Sequence, residues 1–366
     1  PSVPSGCCVV NLFIATGPLG VSSVGTTGSA LAWELLSRGK KILVYDEPSM
    51  NRASGVSAGI CNPITGKAMV KTYLAETLFP SLSTFYAAAE KQLHTTFFHP
   101  LPVIRPFISQ EEMGQWKIRA QSEELHAFVS RVHEGSIFSE FIHDPYGSLQ
   151  IAQAGYLDVP GWLRAVRNHL AEQGFLFMEH FLTEELEAGE IIRYRGHTAK
   201  KIIFCDGLSS RKGSWFEWLP IRPLKGETLT VQLAMDARQI FSRGVYLVPT
   251  GAKQTFIVGS TYEHMPFEEG PTEEGRSYLE SRLRALVKPP FEVIHQSWGI
   301  RPTVSDRRPL LGLHPANNNV AVFNGLGTKG VSLAPYFALR LADWLDQRQE
   351  LPVEVNILRF KSLYSG

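Results

Sequence analysis

Several features that would point to other kinds of protein are missing from this sequence. Its 366 residues contain four cysteines, Cys7, Cys8, Cys61 and Cys205, and none has CxxC or metal-ligand spacing. No metal site is therefore expected, and a reduced compartment is the simpler reading, with Cys205 a small buried hydrophobe in an apolar strand. The histidines show neither HExxH spacing nor a partnership with a GxSxG serine, so zinc and serine hydrolysis have no support. No apolar run approaches the roughly 18 residues of a membrane span. The apolar stretch 7–15 has no preceding Lys or Arg and makes a poor signal peptide. A cytoplasmic protein is expected, an upstream targeting segment aside. Nor does one sign of charge dominate: Lys+Arg 36 against Asp+Glu 35 leaves +1, which argues against a dedicated polyanion-binding surface.

What is present is ordinary globular material, 44% hydrophobic and 19% charged, in a chain long enough for two domains. Helical periodicity marks 30–38, 74–93, 160–173, 272–286 and 334–345. Strand-like runs occupy 41–45, 102–108, 200–205, 229–233, 245–248, 255–258 and 320–323. Strand–helix–strand units stand at the start, around 160–207 and at the end, while meander-like strands fill 101–151 and 223–300. The alternation predicts an α/β protein, α+β overall, with a Rossmann-like nucleotide domain from residues 8–75, 150–215 and 301–366. A mostly antiparallel substrate domain is expected from 76–149 and 216–300.

The segment VGTTGSALAWELLSRGKKILVYDEP (24–48) reads as a phosphate-cradling turn, a helix and a strand ending in an acid. A dinucleotide turn needs small residues at three points, and these fall on Ser23, Gly25 and Gly28, with Thr27 beside them as a donor at the positive helix end. Asp46 is placed to accept from ribose hydroxyls. Ser23 stands where a first glycine is usual, and 17–22 is surplus to the motif. Downstream, Ala53, Ser54, Gly55, Ser57, Ala58 and Gly59 let backbone approach a planar ligand. The tail supplies WGIRPTVSDRRPLLG (298–312) and then NGLGTKGVSLAP (324–335), a glycine-rich loop running into a helix.

Taken together these stretches resemble the D-amino-acid oxidase superfamily of FAD-dependent oxidoreductases, near glycine oxidase and the oxidase domain of the bifunctional tRNA wobble-uridine modification enzyme. IIFCDG (202–207) resembles the strand returning to the adenosine and ending at Gly207, and LPIRPLKGE (219–227) the family's PxRGQ-type turn. The resemblance implies a Rossmann-like FAD domain and an antiparallel substrate domain. It implies FAD held noncovalently, in keeping with the lack of a cysteine in the late loop. It also implies oxidation of the CH–NH bond of a small carboxylate-bearing amine, by hydride transfer to flavin N5.

By the same resemblance Arg301 is the carboxylate anchor, a role that suits a planar guanidinium and not a lysine. Ser54, Ala58 and Gly59 match the loop near the isoalloxazine. Gly325, Leu326, Gly327, Thr328, Lys329 and Gly330 are expected along the pyrimidine edge of the flavin. There amides and a helix N-terminus would stabilise the charge of the reduced ring, with Lys329 as a cation or a contact to a substrate anion. Tyr262, His264, Arg105 and Lys225 are weaker candidates for the opposite wall. The electron acceptor is oxygen or another molecule. Two rivals stand beside this reading: an oxidase of the carboxymethylaminomethyl group of tRNA wobble uridine, and a non-catalytic flavin-binding protein.

Overall fold

In the computed structural model the described residues are 10–15, 25–47, 53–66, 68–211, 213 and 215–365. The surplus loop and Ser23 lie outside them.

A parallel sheet runs in the order Leu176–Phe177, Ile42–Tyr45, Val10–Ala15, His197–Phe204 and Asn317–Asn324. Antiparallel ribbons extend it: Ile192–Tyr194 with Glu187–Ala188 on one side, and Leu310–His314 beside the last strand. The strand alternation divides two cores, because successive side chains point to opposite faces. Leu12, Ile14, Ile42 and Val44 enter a helical layer. Phe13, Leu43 and Tyr45 enter an aromatic layer with Phe181, Tyr194 and Phe204.

The helical layer holds Thr26–Ser37, Ala75–Leu93, Val159–Glu172 and Gly330–Leu345. Thr26–Ser37 is buried almost all round, with Trp33 set edge-on to Trp162 at 6.3 Å between ring centres. Val159–Glu172 starts where Asp158 Oδ1 accepts from the Gly161 amide at 3.1 Å, with Pro160 in its first turn. Ala75–Leu93, which a boundary at 75/76 assigns to the substrate domain, packs its buried face into this layer. Its Tyr86 hydroxyl donates to the Val331 carbonyl at 3.0 Å.

The second large sheet is 9-stranded and mostly antiparallel, its one parallel pair joining Ile240–Arg243 to Val103–Pro106. Its spine is the pairing of Ile221–Leu233 with Phe291–Val304, a ladder of thirteen registered positions with one irregularity at Thr230/Val231. Helix Glu273–Arg284, capped by Thr272, covers it through Leu279 and Leu283. The meander expected over 101–151 contains a helix, Gln110–Arg119. Ser109 caps it, Glu111 and Glu112 sit in its first turn, and Met113 and Trp116 are buried. That short polar segment buries too few apolar residues to show a clear period in sequence.

Candidate active site

The two ends of the chain meet at two helix N-termini. A methyl group on Gly330, at the start of the last helix, would come within 3.8 Å of Thr26 Cβ, at the start of the first. Neither helix has an acidic residue in its first turn, and neither has an N-cap side chain closing it. Two positive helix ends thus point into one region, which suits an anionic ligand. Thr26 turns its amide and its hydroxyl to Ser54 Oγ, each at 3.2 Å, so the loop after the second strand is latched to the first helix. Gly25 leads into that helix, with Thr27 half-buried and Gly28 buried in its first turn.

Asp46 is fully buried at the end of Ile42–Tyr45, and its carboxylate forms an ion pair with Arg167 Nη2 at 2.8 Å. Arg167, on Val159–Glu172, is a residue that sequence reasoning missed. It draws the acid expected at the ribose into a link between strand and helix. Ala58 and Gly59 are buried; Gly59 has φ +68, and a side chain there would stand 1.9 Å from the Leu157 carbonyl oxygen. Although 55–59 spells GVSAG, Ser57 Oγ accepts from the Gly59 amide at 3.1 Å, a local turn bond.

Gly207 is buried and joined to the late loop through Asn324. The Asn324 amide group donates to the Gly207 carbonyl at 2.8 Å, to Ser210 Oγ at 3.1 Å and to Asp206 Oδ1 at 3.2 Å. Ser210 Oγ also donates to Asp206. Burial pushes the Asp206 carboxyl up to about 6, against the opposing pull of these donors.

Arg301 lies partway along Phe291–Val304. Its Nη1 donates to the Thr261 carbonyl at 3.3 Å, and its guanidinium carbon sits 5.1 Å from the centre of the Tyr262 ring. Gly226, on the paired strand, provides its seat: a methyl there would be 2.2 Å from both terminal nitrogens. Two positions earlier, Gly299 meets the early loop, where a methyl would touch Val56 at 2.8 Å and Ala53 Cα at 3.1 Å. One position later, the Pro302 carbonyl accepts from the Gly327 amide at 3.0 Å. The arginine, the early loop and the late loop are therefore neighbours. Desolvation raises the nearby Tyr246 phenol to about 12, against the pull of Arg301, so it is a neutral donor at physiological pH.

In the late loop Gly325 and Leu326 are buried, Thr328 is exposed, and Gly325 and Gly327 take φ +72 and +56. Lys329 Nζ donates to Thr65 Oγ1 at 3.1 Å and to Thr72 Oγ1 at 2.9 Å. Desolvation, then the like charges of Arg307 and Arg308, bring its ammonium down to about 8. Of the weaker candidates, Tyr262 and His264 are exposed. Arg105 pairs with Glu112 at 3.0 Å; Lys225 is fully buried, 3.2 Å from Glu227 and 3.4 Å from Glu263. Those two cations are committed within the protein.

A parallel sheet with paired helix N-termini, set against an antiparallel sheet that presents an arginine, fits a flavin-dependent oxidoreductase. The chain belongs to the DAO family of FAD dependent oxidoreductases, whose profile matches residues 24–344. It is similar to glycine oxidase of Geobacillus kaustophilus, 24% identical over 361 residues that cover 89% of this chain and 92% of that protein. It is also 23% identical over 352 residues to the bifunctional protein ThiO/ThiG of Trichormus variabilis. That match covers 90% of this chain and 52% of the relative, so the chain spans about half the length of the bifunctional protein. The crystal structure of the Geobacillus kaustophilus glycine oxidase shares the fold, with a TM-score of 0.75 at 18% identity, covering 98% of this chain and 99% of that one. Among the described residues no helix is long and apolar enough to cross a membrane, and no group of three or more His, Cys, Asp or Glu could hold a metal ion.

Proposed function

We propose that the chain oxidises the CH–NH bond of a small, carboxylate-bearing amine, with FAD bound noncovalently. Gly25, Thr27 and Gly28 at the first helix, Ser54, Ala58 and Gly59 in the early loop, Asp46 and Gly207 at strand ends, and 325–330 at the last helix would hold the cofactor. Two acid-free helix ends side by side, neither closed by its own N-cap side chain, fit a ligand with a pyrophosphate at one end and a ring that becomes anionic at the other. When bound, FAD supplies the two-electron acceptor for the hydride leaving the substrate carbon. The division into an FAD domain (8–75, 150–215, 301–366) and a substrate domain (76–149, 216–300) belongs to the same reading.

The observation that carries the proposal is the setting of Arg301. Its guanidinium is seated on Gly226, held by the Thr261 carbonyl, and one residue from the Pro302–Gly327 bond to the late loop. A cation fixed in this way orients a carboxylate, and orientation is what hydride transfer most requires. Tyr262 packs on the guanidinium and narrows the directions from which a carboxylate can approach. The glycine oxidase relative agrees with an amino-acid-like substrate.

Anaerobic mixing of the FAD-loaded protein with a panel of amines, tRNA included, followed by visible absorbance, tests the reading. Bleaching by carboxylated amines is expected. Bleaching by tRNA alone would move the assignment to the wobble-uridine reaction, and no bleaching by any member would leave a flavin-binding protein.

A further inference from the structure

Lys329 and Arg308 are half-buried like charges close to one another, with Arg307 exposed beside them. Among the described residues none of the three has a carboxylate within ion-pair distance. Several other shielded cations are matched by carboxylates: Arg38 by Glu34, Asp343 and Asp346, Lys40 by Asp346, and Lys225 by Glu227 and Glu263; Lys201 and Arg243 instead donate to the carbonyls of Asn318 and Pro106.

Lys329 spends two of its three donors on Thr65 and Thr72, both neutral hydroxyls. The Arg308 guanidinium carbon lies over Tyr73, 3.7 Å from the ring centre, a contact that holds it in place. Lys329 is also the N-cap residue of Gly330–Leu345, so the positive helix end adds to the same field. Holding the half-buried Lys329 and Arg308 together partly out of water is costly unless an anion joins them.

The geometry points to a second anion subsite formed by Lys329, Thr65, Thr72 and Arg308, taking an oxyanion (carboxylate or phosphate) carried by the amine itself. This deepens the oxidase reading and rests on it. Arg301 precedes Pro302 and Lys329 follows Gly327 by two residues, so the two residues flank a single backbone hydrogen bond of 3.0 Å. A substrate anchored by one carboxylate at Arg301 thus meets a second cationic group where the late loop closes. The preferred substrate class is an amine with two acidic groups.

Sarcosine and iminodiacetate make a matched pair, since the second differs by one added carboxylate. The wild-type protein is expected to show kcat/KM at least tenfold higher for iminodiacetate. Lys329→Met and Arg308→Gln are each expected to raise KM for iminodiacetate about ten times more than KM for sarcosine, and Lys329→Arg is expected to restore the preference. Should Lys329→Met fail to fold, Arg308→Gln carries the test. Inorganic phosphate supplies an arm that does not depend on turnover: at pH 7 it should raise the melting temperature of the wild type and leave Lys329→Met unmoved. Phosphate that competes with iminodiacetate but not with sarcosine supports a substrate-borne anion. Phosphate that stabilises without competing, or equal KM changes for the two amines, overturns the proposal. If neither amine reduces the flavin, the oxidase reading falls and the substrate class falls with it; the phosphate shift then decides the anion site by itself.

Discussion

A methyl group on Gly226 would stand 2.2 Å from both terminal nitrogens of Arg301. Glycine is needed at this point of the ladder because the guanidinium of the opposite strand occupies the space of a side chain. Lys225 and Glu227, its neighbours in sequence, turn to the other face of the sheet. There Glu227 accepts from the Thr272 amide and hydroxyl at 3.0 and 2.7 Å and from Gln296 Nε2 at 2.6 Å. The strand is thus held rigidly behind the seat of the arginine.

Gly226→Ala is expected to displace the guanidinium without unfolding the sheet. KM for a carboxylated amine should rise more than tenfold, with a fall in melting temperature of only a few degrees, of the size that about 1 kcal/mol produces. Michaelis constants together with a thermal melt decide it. An unchanged KM would show that Arg301 tolerates a shift of its seat and is not the anchor.

Arg301→Ala should lower kcat/KM for a carboxylated amine by roughly 100-fold, the loss of about 3 kcal/mol from a charge-assisted contact. An uncharged amine of similar size should lose far less. Equal losses for both would remove Arg301 from the carboxylate role.

Asp206 links stability to pH. Its folded pKa of about 6 lies above the ordinary 3.8, so the folded state holds the proton more tightly than the unfolded chain. Stability from this group is fully present below about 4, declines as pH rises to about 6, and stays lower above that. The full effect is on the order of 3 kcal/mol. Asp206→Asn keeps an acceptor for Ser210 and Asn324 and cannot ionise. The melting-temperature difference, variant minus wild type, should grow between pH 4.5 and 7; a constant difference would contradict the account.

Purified protein should be yellow or take up added FAD, and acid precipitation should leave all of the flavin in the supernatant, since the late loop carries no cysteine. Ser54→Ala removes the latch on the Thr26 amide and hydroxyl and should weaken FAD binding several-fold. Flavin that stays with the precipitate would mean a covalent link.

Much of the nucleotide half was legible because its signals are local. The apolar period of 30–38 and the strand run 41–45 became Thr26–Ser37 and Ile42–Tyr45. The last helix likewise became Gly330–Leu345. The ladder of Ile221–Leu233 with Phe291–Val304 was only partly readable. Pro223, Lys225, Gly226 and Pro302 interrupt its apolar pattern, and backbone pairing across the intervening chain 234–290 holds it in register. Of the candidate site residues, Arg301 was proposed from its motif, whereas Arg167, Thr65, Thr72 and Thr261 had no motif to propose them. A threonine or arginine has no local signature for the partner it will meet, and these partners arrive from distant segments.

The sequence by itself determined the class of fold and the places of its main helices and strands in the nucleotide half, because glycine turns and helix and strand periods are properties of neighbouring residues. Only the tertiary structure decided which charges are satisfied and which are left over. Asp46 is drawn to Arg167 and Lys225 to Glu227 and Glu263, while the side chain of Lys329 meets two hydroxyls and, among the described residues, no carboxylate. The reason is physical: whether a charge has a counter-charge depends on distances of a few ångströms between residues far apart in the chain, and folding alone sets those distances.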